Sequence, residues 1–171
     1  MKRSGKPLTA KKPLTSGTTL KASKPLQKRS TKPTKQVKPM VSKLKKKADK
    51  IFSRAIRFRD GQLIEGEWIV DCITCDARKP FKAMQAGHFQ SRRYNATRFD
   101  YENVNAQCYR CNVMFYGEQY KYAQAIDMKY GDGVARRLEE QAKEPHPFSI
   151  EELENIITDA SNEVYFYEAM S

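Results

Sequence analysis

What this sequence has little of narrows it first. Nowhere in its 171 residues is there a run near the roughly 20 apolar residues that a membrane span needs, which excludes an integral membrane protein. The basic N-terminus has no apolar stretch of the kind a secretory signal carries, so the chain is expected to be intracellular. Only 39% of the residues are hydrophobic against 30% charged, and there are just two histidines and four cysteines. Acid is nearly missing from one stretch. Residues 1–50 hold 17 Lys and Arg and a single acid, Asp49, whereas residues 51–171 hold 15 basic and 19 acidic side chains. The formal charge of +12 therefore belongs to a strongly basic arm on a mildly acidic remainder.

The arm has almost no large apolar residues before Met40, and its repeated Lys-Pro steps disfavour helix at each preceding lysine. A segment that cannot bury enough apolar surface to offset its ordering entropy stays disordered, so residues 1–42 are expected to be a disordered Lys/Pro-rich tail. The tetrapeptide KPLT occurs at Lys6–Thr9 and Lys12–Thr15, which reads as low complexity and not as a folded repeat. Lysines at this density suit a polyanion, because each phosphate they neutralise releases condensed counterions. The other reading is a solubilising extension.

One folded domain is expected over residues 43–171. Leu44, Ala48, Ile51, Phe52, Ala55 and Ile56 recur at three- and four-residue spacing, which predicts a helix over 43–60 ending at Gly61. Trp68–Cys72 reads as a strand and Gln85–Phe89 as a second strand or hairpin arm, inside a core of residues 68–116. Residues 117–171 read as helical: a helix from about 112 to 130, a break at Gly131-Asp132-Gly133, and a helix over 134–143. A last helix opens at the capping box Ser149–Glu152. The stripe Leu153, Ile156, Ile157, Ala160 and Val164 on that helix suits core packing and equally a dimer interface. Residues 113–171 carry 5 basic and 12 acidic side chains, so this end should face away from DNA.

The cysteines stand as Cys72-x2-Cys75 and Cys108-x2-Cys111. Two residues between cysteines let both thiolates of a tight turn point at one ion, and two such knuckles complete the four-sulfur set of a structural zinc. In a reducing compartment, disulfides are the weaker reading, and a redox role would not explain both pairs. A closed four-sulfur site has no open position, so this zinc should hold the fold and do no chemistry.

Between and beside the knuckles lie Gln85-Ala-Gly-His88-Phe, then Arg98-Phe-Asp-Tyr-Glu-Asn103, then Gln107-Cys108 and Cys111-Asn112. Residues 72–112 carry seven basic and three acidic side chains, the positive part of an otherwise acidic domain. This order of motifs resembles the phage NinG (Rap) recombination endonucleases, within the HNH or His-Me finger nucleases. The resemblance is carried by residues 70–112, continues weakly through the helical region, and leaves out the tail. It implies an α+β fold: a ββα-metal nuclease core with its zinc site, flanked by helices and preceded by the basic tail. It implies cutting of branched DNA in the host cytoplasm during infection, with a catalytic magnesium or manganese ion. His88 would then be the general base, Asn103 the middle asparagine of the HNH pattern, and Asn112 a ligand of the catalytic metal.

Hydrolysis chemistry agrees with those roles, since a neutral imidazole suits deprotonating water and an asparagine carbonyl could hold its tautomer. Many HNH nucleases carry Asp before the base, but Gly87 stands here. Asp100 is the candidate second oxygen ligand, with a purely structural turn role as the other reading. Where members of the family carry His, this chain has Asn105, which could orient His88 or touch the metal. Arg92, Arg93 and Arg98 could grip phosphates, although Arg98 could instead pair with Asp100 or Glu102. Tyr94, Phe99 and Tyr101 suit either stacking on unpaired bases or core packing. The leading expectation is a metal-dependent endonuclease of branched, junction or flap DNA, acting as a candidate homodimer. Its rival is a non-catalytic zinc-ribbon DNA-binding adaptor.

Overall fold

The computed structural model describes residues 37–75 and 77–170. The tail expected over residues 1–42 lies outside them up to residue 36. Residues 37–42 are helical, because helix α1 runs over Val37–Arg59 and starts ahead of the expected Lys43. Pro39 does not prevent this. It falls in the first turn, where backbone N–H groups have no intrahelical acceptor and the fixed φ of proline suits the helix.

The fold is mixed α+β with two small antiparallel sheets. The first pairs β1 (Gly61–Ile64), β2 (Glu67–Asp71) and β3 (Arg78–Pro80) in sequence order. Its opening hairpin turns at Glu65-Gly66, both at positive φ, a two-residue turn whose twist matches that of paired strands. The second sheet pairs β4 (Met84–His88) with β5 (Val104–Cys108), placing His88 opposite Val104 and Gly87 opposite Asn105. The expected strands at 68–72 and 85–89 are β2 and β4. Strands β1, β3 and β5 had no run of alternating residues long enough to announce them.

The helix expected over 112–130 is broken. A π-helical turn spans Arg110–Met114, and α2 begins only at Gln119 and ends at Tyr130. Helix α3 covers Val134–Gln141, and α4 covers Ile150–Glu168 behind a complete Ser149–Glu152 capping box. The apolar stripe of α4 is used within the chain. Ala160 and Val164 pack with Phe52, Ala55, Ile56 and Phe58 of α1, while Leu153 and Ile157 close over Ala48. That packing takes the stripe out of consideration as a dimer interface. Phe99 and Tyr101 meet Phe52 edge-on at 5.6 and 4.8 Å, so these two aromatics are core and do not stack on bases. Among the described residues no helix is long and apolar enough to cross a membrane.

Candidate active site and metal centre

The four cysteines converge. Cys72 leaves β2, Cys75 follows in the next turn, Cys108 ends β5 and Cys111 sits in the π-helical turn. All four sulfur atoms lie within 4.8 Å of one another, and Cys75 Sγ is 3.9 Å from Cys108 Sγ. Four thiolates at about 2.3 Å from one zinc would stand about 3.8 Å apart, so the donor set fits a tetrahedral ion. That separation is also far from the roughly 2.05 Å of a disulfide, and all four thiols are free. The cluster is supported from behind. The Cys108 N–H donates to Cys72 Sγ at 3.3 Å, and the Thr74 hydroxyl lies 3.4 Å from the same sulfur. Zinc here would join the turn after β2 to the end of β5.

At the other end of the second sheet, His88 closes β4. Its Nε2 is 3.1 Å from the backbone carbonyl of Arg98, and since a carbonyl only accepts, Nε2 carries the hydrogen and Nδ1 is the bare nitrogen. Burial, then the nearby Arg92 charge, pushes the imidazole from 6.5 down to about 4, so it is neutral at neutral pH. Two clefts of about 470 and 480 Å³ meet here, and His88, Arg92 and Asn112 line both. Asn112 donates from Nδ2 to Gln85 Oε1 at 2.7 Å, which leaves its carbonyl oxygen as the acceptor available to the cleft. Arg92 and Arg93 are exposed, and among the described residues neither pairs with an acid.

Other expected residues are placed differently. Asn103 is fully buried and does not touch the imidazole. Its Oδ1 accepts from Gln90 N–H at 2.6 Å and its Nδ2 donates to the carbonyls of Gln90 and Thr97, so it clamps the loop between β4 and β5. The tautomer-holding acceptor expected of an asparagine is instead the Arg98 carbonyl. Asn105 neither orients His88 nor is available to a metal. Its Oδ1 accepts from Arg59, Lys129 and Tyr130 at 2.9, 2.9 and 2.7 Å, in a buried cluster with Asp60. Burial alone would raise the Asp60 carboxyl, but hydrogen bonds and charge from Arg59, then Lys129, hold it below the usual range.

Asp100 takes the structural role. Its Oδ1 accepts from the Glu102 and Asn103 N–H groups in a tight turn, and it lines neither cleft. Arg98 does not pair with Asp100 or Glu102, the acids nearest it in the chain. It forks onto Asp49 of α1 at 2.9 and 2.6 Å, with 15% and 17% of the two side chains exposed, and also donates to the Arg92 carbonyl. Glu102 pairs with Arg137. His146 bonds Glu152 Oε1 at 2.7 Å and lies in a structural loop.

Sequence reasoning passed over Asp49, Gln85 and Tyr116. Asp49 is the one carboxylate lining the two clefts among the described residues, and its isolation as the single acid in fifty residues was the signal. The glycine at 87 is also explained. A Cβ there would fall 2.0 Å from Oε1 of the buried Gln107 side chain, so a residue larger than glycine beside the base requires that side chain to move.

Among known proteins, the family model described as Bacteriophage Lambda NinG protein matches residues 3–167. No curated protein matches, and no solved structure matches.

Proposed function

Because the chain belongs to the bacteriophage Lambda NinG family, we propose that it is a metal-dependent endonuclease of phage recombination that cuts branched DNA. The observation that carries this reading is the meeting of His88, Arg92 and Asn112 on the shared border of the two clefts. In this reading the hairpin β4–β5 and the turn carrying Asn112 would serve as the ββα-metal core, and zinc on the four cysteines would brace its base.

In this mechanism His88 Nδ1 takes a proton from water while Nε2–H stays on the Arg98 carbonyl. The resulting hydroxide attacks phosphorus, the bond from phosphorus to the 3′ oxygen breaks, and the departing 3′ oxygen takes a proton from water. The products are a 3′ hydroxyl and a 5′ phosphate, and His88 returns its own proton to solvent. Arg92 binds a non-bridging phosphate oxygen. Asn112 Oδ1 would hold the divalent cation, with water and phosphate oxygens completing the shell that magnesium prefers. When bound, such a cation would supply charge relief on the phosphate and at the leaving oxygen. Asp49 serves by holding Arg98, whose carbonyl holds the base.

The rival is a non-catalytic zinc-ribbon adaptor that binds DNA through the basic tail, Arg92 and Arg93. It is favoured by one feature: both oxygens of Asp49 are engaged by Arg98, so no free carboxylate is at hand for the cation. Incubation with labelled junction and linear duplex, with magnesium or manganese and then with chelator, separates the two. His88→Ala should abolish cleavage and leave junction binding and zinc content intact. Retained cleavage overturns the mechanism, and no metal-dependent nicking by the wild type on any DNA form establishes the adaptor.

A further inference from the structure

Tyr116 forms part of the second cleft, and the backbone displays its ring in an uncommon way. Tyr116, Gly117 and Glu118 are consecutively left-handed, with φ of 51°, 90° and 51°, a conformation disfavoured for any residue with a Cβ. The turn is fastened from behind. The Gly117 N–H donates to the Cys111 carbonyl at 2.8 Å, and the Gly117 carbonyl accepts from the buried Gln107 amide at 3.0 Å. Glu118 then accepts the Tyr122 N–H at 2.9 Å as α2 begins. The outcome is a ring that is 89% exposed on a backbone anchored to the cysteine cluster. Burial does not account for it, and strain held at a cleft is a pointer to use.

Tyr94 lines the same cleft, with the Arg93 guanidinium 5.0 Å from its ring centre. Two aromatic rings and two arginines without acidic partners therefore flank His88 and Asn112. In continuous duplex both faces of every base are already covered, so a protein ring has no face to take. Past the last base pair of a fork or flap the faces are uncovered, and aromatic side chains stack on them with little sequence preference. The arginines suit the phosphates of the same strand.

We propose that Tyr116 and Tyr94 form a stacking platform for unpaired DNA bases, which directs the cut to phosphates beside single-stranded nucleotides. This rests on the reading of the cleft as the cutting site. The platform makes the choice of substrate a property of one chain, since it reads uncovered bases and not the angle between junction arms.

The test uses the full-length zinc-loaded protein without added magnesium or manganese, so that nothing is cut. A labelled fork with unpaired thymidine arms and a fully paired duplex of equal length are titrated with wild type, Tyr116→Ala and Tyr116→Phe. Tyr116→Ala should weaken fork binding about tenfold and leave duplex binding within about twofold, while Tyr116→Phe binds both as wild type does. Zinc content and circular dichroism confirm that each variant folds. Equal loss on both probes, or no loss on the fork, overturns the platform. A fork-selective loss in a protein that cuts no DNA would leave the platform standing and remove the nuclease reading. Cleavage by the wild type with no fork-selective loss would do the reverse.

Discussion

One hydrogen bond decides which nitrogen of His88 can accept a proton. With Nε2 committed to the Arg98 carbonyl, the lone pair in the cleft is on Nδ1, and the neutral form persists to about pH 4. The depressed value has a sign for stability. An unfolded histidine titrates near 6.5, so between pH 6.5 and 4 the unfolded chain binds the proton that the folded chain refuses, and stability falls as pH falls. Full stability is present above 6.5, and the loss is complete below 4. At 1.36 kcal/mol per pH unit, the interval corresponds to about 3 kcal/mol. The expected outcome is a His88 imidazole signal that titrates near 4 by NMR in the zinc-loaded protein, with denaturation midpoints that drop across this interval and drop less in His88→Gln. A signal titrating near 6.5 would show that the ring is neither buried nor crowded by Arg92.

That His88, Arg92 and Asn112 share one cleft agrees with their nearness in the motif order, which says nothing further of their roles. The places of Asn105 and Arg98 were not legible in sequence, since their partners Arg59, Lys129 and Asp49 come from helices far along the chain. Charge and spacing within a motif carry no information about such partners.

At the scale of elements, the hairpin β4–β5 works only because of a close approach within it. Gln107 lies across the backbone of Gly87 and donates to the Thr74 hydroxyl at 3.2 Å and the Gly117 carbonyl at 3.0 Å. A methyl at position 87 meets that side chain, which makes room only by giving up its bonds to Thr74 and Gly117. Gly87→Ala should therefore destabilise the protein by about 1–3 kcal/mol through overpacking in the hairpin. Gln107→Ala placed in the same chain should recover part of that loss, read as a non-additive pair in denaturant melts. Full additivity would mean that the two positions do not meet.

The capped helix α4 was legible from pattern, through Ser149–Glu152 and the apolar stripe behind it, and β4 from its place between the two cysteine pairs. The break between Met114 and Gln119 was not. Cys111 must turn its sulfur back towards the cluster, and that tertiary demand overrides the helical propensity of the residues around it.

Across the whole molecule, the charge is divided by position along the chain. Residues 1–50 carry 17 basic side chains and residues 113–171 carry 12 acidic ones, so the C-terminal helices are poor ground for DNA. Because α1 begins at Val37, a truncation that removes residues 1–36 spares the helix that supplies Asp49. That truncation should weaken DNA binding and flatten its dependence on salt, since fewer counterions are released on binding. Cleavage at low salt and high protein concentration should survive. A truncated protein that binds with the wild-type salt slope would place the phosphate contacts elsewhere.

The Gly87–Gln107 contact also bears on how such a chain can descend from another. A carboxylate beside the base cannot be gained here without moving the side chain at 107, which already fills its place and ties the knuckle to the Tyr116 turn. Acquiring the acid therefore asks residue 107 to shift or shrink and to give up that tie. Space thereby couples the two positions, so that what can stand beside the base depends on what stands at 107.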